Sequence, residues 1–300
     1  MTPSLSLEAS FYKGHGHGND YLVFREGEGW TVTREAIGRI CDRWRGVGGD
    51  GVVVLLSPPA EPFRLRMFNP DGSEFERSGN GLRILGACLF GEGRVAQGVP
   101  FRIEVGGDEV GMEILHREAG GLIQVRVDMG KARFAPDAMG FRPRALLNDR
   151  FLEGPEGEEL DIHPVSMGNP HCVVFREALE ERDLELLGPY LTAHPAFADG
   201  ANVQLAQPLD EKRVSILIWE RGVGRTASSG TSACAVAAAS VRRGLLAHGT
   251  VEVVMEGGSF FVAVSEEMDV VLEGPVQPVM AGTLSQELLE DLRGLKSGPG

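Results

Sequence analysis

The sequence predicts an α+β (mixed α/β) fold built from two related halves, and three observations carry that reading. Short apolar runs bounded by turn residues recur along the whole chain. Helix-like segments are few. Two apolar helices, half a chain apart, open with the same kind of polar, glycine-containing turn. In chain order, strands are expected over residues 21–24, 51–56, 63–67, 124–127, 172–175, 214–219 and 250–255, each apolar and flanked by turn formers such as Pro70-Asp71-Gly72 or Glu256-Gly257-Gly258. Helices are expected over 34–43, 81–90, 183–191 and 232–246. Strands mixed with a few helices make an α+β class.

A chain of 300 residues accommodates two domains. The duplication signal divides it near Met129-Gly130. Ser78-Gly79-Asn80-Gly81 opens one apolar helix and Ser229-Gly230-Thr231-Ser232 the other, with a polar residue nine positions upstream of each serine, Asn69 and Glu220. The proline- and glycine-rich stretch 273–282 then carries the chain back, giving one domain from 1–130 plus 276–300 and another from 131–275. Residues 296–300 read as a frayed end.

Net charge of −14 and a pI of about 5.0 argue against nucleic acid and against anionic membranes as partners. The first ten residues lack a signal-peptide pattern, and no apolar run reaches membrane-spanning length, so the expected location is cytoplasmic. Cys41, Cys88, Cys172 and Cys234 match neither a metal knuckle nor a redox pair; Cys88 and Cys234 read as buried filler.

The first turn of a helix has unpaired backbone N–H groups and a partial positive charge, which suits a carboxylate. Two such starts in one cleft would grip a carboxylate from both sides and set the hydroxyls of Ser78 and Ser229 on opposite faces of the neighbouring carbon. That arrangement moves a proton off one face and onto the other. Taken alone, the helix starts read rather as two capped helices without a ligand. The surrounding motifs favour a site. His15-Gly16-His17-Gly18-Asn19-Asp20 reads as a tight loop bringing Asn19 to a ligand, since two histidines without a carboxylate cluster are a weak metal signal. Arg45-Gly46-Val47-Gly48-Gly49-Asp50-Gly51 lacks the ending of a phosphate loop and precedes a strand. Gly168-Asn169-Pro170-His171-Cys172 puts an amide and an imidazole at the head of a strand, and Trp219-Glu220-Arg221-Gly222 puts an acid and a base at the end of another.

These motifs, in this order from about Phe11 to Gly282, resemble the diaminopimelate epimerase family. The resemblance implies two pseudo-symmetric domains, each a curved sheet or open barrel around a central helix. It implies a reaction without cofactor or metal that interconverts LL- and meso-diaminopimelate at the α-carbon, within amino-acid (lysine) biosynthesis, and possible homodimers acting on a small amino-acid substrate. Carried over by motif, the paired bases fall at Ser78 and Ser229, assisted by Glu220 and His171. The amides of Gly79, Asn80, Gly230 and Thr231 would hold the reacting carboxylate. Asn19, Asn69, Asn169, Asn202 and Arg221 would orient the rest of the substrate.

In the family both bases are cysteines. An alkanol is harder to ionise than a thiol; a gap of roughly five pK units is about 7 kcal/mol, or about 10⁵ in rate. Helix dipoles return about 1–2 kcal/mol at best, so serine needs a neighbouring base. Arg225 stands where relatives commonly carry an acid, and reads equally as an anion-binding or a solvent-facing residue. Three readings stay open: an epimerase with an unusual base pair, a related isomerisation or elimination in which Glu220 or His171 moves the proton, and amino-acid binding without turnover. A fourth, serines introduced to silence the enzyme, is disfavoured by Arg225 and by the tandem Ser228-Ser229.

Overall fold

The computed structural model describes residues 5–75, 77–147 and 151–295. The expectation of a frayed end at 296–300, and the part of the signal-peptide reading resting on residues 1–4, lie outside the described residues. The chain divides into two compact units, one built from residues up to Val127 and from Gly274 onward, the other from Asp128–Glu273.

One pairing scheme is used in both units. In the first, the strands Ser6–Gly16, Asn19–Glu26, Val52–Leu55, Phe63–Phe68, Phe101–Val105 and Asp108–Arg117 pair in that order as antiparallel, parallel, antiparallel, parallel, antiparallel. In the second, Glu159–Ser166, Pro170–Phe175, Asn202–Asp210, Arg213–Glu220, Gly249–Met255 and Gly258–Val264 repeat the sequence of orientations. A two- or three-residue strand, Glu74–Phe75 or Gly224–Thr226, folds back on the fourth strand in each case. Helix α1 (Arg34–Cys41) and helix α2 (Gly79–Gly91) occupy the same crossovers in the first unit as α3 (Glu181–Thr192) and α4 (Gly230–Arg242) in the second. Parallel neighbours require such crossovers.

Strand alternation sends one face of each sheet to an outer helix and the other to a central one. In the first unit Leu22, Phe24, Val52, Val54 and Phe68 pack with Ile37 and Ile40 of α1. The opposite parity, Val53 and Met67, meets α2: a Cβ added at Gly81 would stand 3.2 Å from both side chains. In the second unit Cys172, Val174, Val203 and Leu205 pack on Leu184, Leu187 and Leu191 of α3. The opposite parity carries His171, Asn202, Gln204 and Glu220. Helices α2 and α4 are buried almost all round, as Leu82–Leu89 and Ala233–Val241 require by being apolar apart from Arg83 and Ser240.

Two elements go beyond the expectation. Residues 273–282 carry the chain back to the first unit as part of a strand, Asp269–Thr283. It pairs with Gly258–Val264 at its start and with Ser6–Gly16 at its end. Its prolines are tolerated because the register slips beside Pro278, opposite Lys13 and Gly14, where a missing N–H breaks no regular ladder. A fifth helix, α5 (Gln286–Gly294), follows it, capped by Ser285 and burying Leu289 and Leu292 against the α1 core. Among the described residues no helix is long and apolar enough to cross a membrane, and the four cysteines are free and buried.

Candidate active site

In the second unit the register derives the site directly. His171 pairs with Asn202, Val173 with Gln204, and Gln204 with Ile218, so His171, Asn202, Gln204 and Glu220 share the face beneath α4. Ser229 is the N-cap of α4, in extended conformation (φ −153°), and its side chain makes no capping bond. Its hydroxyl instead lies near enough to the Glu220 carboxyl to favour its ionised form. Burial pushes the Glu220 carboxyl above the usual carboxylate range, and the neighbouring Ser229 hydroxyl only partly offsets this. With no side-chain cap, the first-turn N–H groups of α4, where Gly230 is buried and Thr231 half-buried, are free to meet an anion.

His171 is fully buried. Its Nε2 lies 2.9 Å from Asn169 Oδ1, and its Nδ1 lies 3.1 Å from Gln204 Nε2. Burial, with the Arg221 charge acting the same way, outweighs the opposing contact with Gln204 and pushes its pKa down to about 3, so the ring is neutral. Both ring nitrogens are occupied by amide groups. Asn202 Oδ1 accepts from the Arg221 backbone N–H at 3.0 Å, and the Arg221 guanidinium donates to the Asp199 carbonyl at 2.6 Å. Asn202 thus ties the strand end to the turn after Glu220.

In the first unit Ser78 caps α2, accepting from the Gly81 N–H at 3.2 Å. Gly79 and Asn80 are buried at the helix start. Asn80 Nδ2 donates to both the carbonyl and the side-chain oxygen of Asn19 at 2.7 Å, while its own oxygen accepts from buried Arg83 at 2.9 Å. Asn19 Nδ2 in turn donates to Asp50. Asn69 lies at the end of its strand with its amide on Ser73 Oγ at 3.0 Å. The loop His17-Gly18 that precedes Asn19 is a two-residue hairpin with both φ positive (52° and 88°), a type I′ turn. The glycine loop at 45–51 cups the C-terminal end of α1. A Cβ at Gly46 would fall within 2.5 Å of the carbonyls of Arg39 and Ile40. That packing delivers Asp50 to Asn19. Around them Asp20 takes Lys13 and Arg43: burial opposes its charge, but those donors outweigh it and hold the carboxyl down at about 2. Asp50, half-buried and facing Asp20, is pushed up by desolvation and by the Asp20 charge.

At Gly16 an added Cβ would stand 2.3 Å from Asn80 Oδ1, 2.9 Å from the Arg83 guanidinium and 3.1 Å from the Pro275 carbonyl. Gly16→Ala is therefore expected to lose about 1–3 kcal/mol of stability, read as a lower urea midpoint at unchanged m-value.

A model of diaminopimelate epimerases matches residues 11–135 and 164–279. The chain belongs to the diaminopimelate epimerase family. The diaminopimelate epimerase of Desulforudis audaxviator is 38% identical over 91% of this chain and 98% of its own, and that of Pelotomaculum thermopropionicum 35% identical over 91% and 97%. A hydroxyproline epimerase from Agrobacterium vitis, solved with trans-4-hydroxy-L-proline, superposes with a TM-score of 0.68 over 92% of each chain at 14% identity, which shows a shared fold. The chain is thus an isomerase-family protein of the epimerase fold.

Within this epimerase-family scaffold the two helix starts are chemically unequal. The strand position that holds Glu220 in one unit holds Asn69 in the other, and an amide accepts no proton. Arg225 bonds Glu181 and Glu256 at 2.7 and 2.9 Å on the surface strand Gly224–Thr226. Its solvent-facing reading fits this geometry, and Arg225→Ala is expected to leave kcat/KM within about twofold. Sequence reasoning did not single out Gln204, Ser232 or Arg83. The available signal was a lone polar side chain inside an apolar element: Gln204 between Val203 and Leu205, Arg83 between Leu82 and Ile84. Among the described residues no group of three or more His, Cys, Asp or Glu side chains is placed to hold a metal.

Proposed function

We propose that this protein interconverts LL- and meso-diaminopimelate without cofactor or metal, using Ser78 and Ser229 as the paired proton-transfer groups. The observation that carries the reading is the Ser229 hydroxyl set beside the Glu220 carboxyl at the uncapped start of α4. A serine hydroxyl is too weakly acidic to work alone, and here it has the base it needs. Glu220 takes the Ser229 proton as the Ser229 oxygen takes the α-proton, so no free alkoxide forms. The negative charge delocalises into the substrate carboxylate, held by the amides of Gly79, Asn80, Gly230 and Thr231. As the Ser78 hydroxyl gives its proton to the opposite face it takes one from solvent, and Glu220 releases the proton it took, which restores both groups. Asn19, Asn69, Asn169, Asn202 and Arg221 hold the remaining amino and carboxyl groups. His171, neutral and held between two amides, serves as a positioning residue for Asn169 rather than as the base.

The family assignment supports a place in lysine biosynthesis, a cytoplasmic location and a homodimer. Incubation of LL-diaminopimelate with enzyme in D₂O tests the reading: deuterium enters the α-position and meso product accumulates. Binding without any exchange overturns it. That outcome is the second reading, an amino-acid binder, which one observation favours: the Ser78 oxygen is engaged in capping α2 and has Asn69, not an acid, at the matching strand position.

A further inference from the structure

A buried relay of four side chains runs from α4 to Asn169. Gln204 is fully buried in the middle of the strand Asn202–Asp210. Its Nε2 bonds both Ser232 Oγ, at 2.9 Å, and His171 Nδ1, at 3.1 Å, and His171 Nε2 meets Asn169 Oδ1 at 2.9 Å. An amide nitrogen is a donor only. Facing Gln204 Nε2, His171 Nδ1 must act as the acceptor, which leaves the ring proton on Nε2. That proton goes to Asn169 Oδ1, and the Asn169 Nδ2 group is then turned outward as a two-proton donor.

The opposite orientation of Gln204 is disfavoured. As built, both of its N–H bonds are used and its Oε1 alone lacks a partner. Turning the amide over would bury two unpaired N–H groups in exchange for one unpaired oxygen, and orphaned donors are the rarer and costlier case.

We propose that Gln204 is a positioning residue that sets the hydrogen-bond polarity of the relay, fixing the Nε2–H tautomer of His171 and presenting Asn169 as a donor to an anionic substrate group. The substrate half of this inference rests on the role proposed above for Asn169. The tautomer half does not. A carboxylate in place of the amide reverses the polarity. It pulls the imidazole proton to Nδ1, turns Asn169 over, and directs its oxygen at the substrate carboxylate.

The test uses ¹⁵N-histidine-labelled full-length protein, with the His171 signals assigned by their loss in His171→Asn. Long-range ¹H–¹⁵N correlation at neutral pH is expected to show Nε2–H in the wild type. Gln204→Glu moves the proton to Nδ1, and raises KM for LL-diaminopimelate about tenfold or more with kcat within about threefold. Gln204→Leu, which keeps the core apolar and of similar volume, gives a mixture of tautomers. Nδ1–H in the wild type overturns the proposal. So does a Gln204 variant that loses heat stability alone while keeping the wild-type tautomer and KM. If the wild type shows no α-proton exchange, the functional reading fails, and the tautomer pattern still decides the role of Gln204.

Discussion

Glu220→Gln is expected to cut kcat/KM for epimerisation by at least about 10³-fold, measured as α-deuterium incorporation and as meso product. General-base assistance by a positioned side chain contributes about 10²–10⁴. The need is at the upper end here, because the group assisted is an alkanol. Glutamine preserves volume and still accepts a hydrogen bond from Ser229 but takes no proton, so the loss reports proton transfer and not packing. The pH profile carries the same signature. Burial raises the Glu220 carboxyl, and catalysis from the Ser229 side needs it ionised. The acid limb of kcat/KM therefore falls away at a pH above the ordinary carboxylate range. The stability consequence has the opposite sign. A folded-state pKa above the unfolded one favours the fold when the group is protonated, and that contribution is lost as pH rises from the unfolded value through the raised folded value. At neutral pH wild type holds an unfavourably buried carboxylate. Glu220→Gln removes it, and its Tm at pH 7 should exceed that of wild type, with the difference vanishing in acid. An inactive variant with a lowered Tm would mean that Glu220 holds the fold instead of moving a proton.

Much of this was legible in the sequence, and the reasons are specific. Helices α2 and α4 announced themselves because a Ser-Gly start followed by an all-round apolar stretch has no other comfortable structure. Strand existence followed from alternation bounded by turns, as in Tyr21–Phe24 within the longer Asn19–Glu26 strand. What escaped was whatever depends on tertiary context. The strand Ser6–Gly16 mixes polar residues into both faces and is half-buried along most of its length, so it carries no clean period of two. The segment at 273–282 reads only as the stretch that returns the chain, because its prolines and glycines give no strand signal; a bulge beside Pro278 lets it pair as a strand. Helix α5 has a cap and an i, i+3 leucine pair, but nine residues are too short for that pattern to stand out. In the proposed site, the motifs pointed to Ser229, Glu220 and His171. It did not find that Gln204 stands between His171 and Ser232, because that contact is made by strand register and not by proximity in the chain.

Restoring cysteine should act unequally at the two helix starts. A thiol is roughly five pK units easier to ionise than an alkanol, a ceiling of about 7 kcal/mol or about 10⁵ in rate, and a helix start lowers the thiol further. That ceiling applies in full only where the serine has no base. Ser229 already has Glu220, so a cysteine there replaces assistance it would otherwise inherit, and the buried carboxylate disfavours a thiolate beside it. Ser78 has Asn69 at the matching strand position, and its oxygen is held by the Gly81 N–H. The expected result is a gain of about 10²–10⁴ in α-proton exchange for Ser78→Cys and less than about tenfold for Ser229→Cys, with the larger gain confined to the stereoisomer whose proton Ser78 removes. Exchange rates for the LL and meso substrates, measured separately in D₂O, check this. Equal gains at the two positions, or a larger one at Ser229, would show that Glu220 does not relieve the serine it contacts, and the proton relay from Ser229 to Glu220 would have to be abandoned.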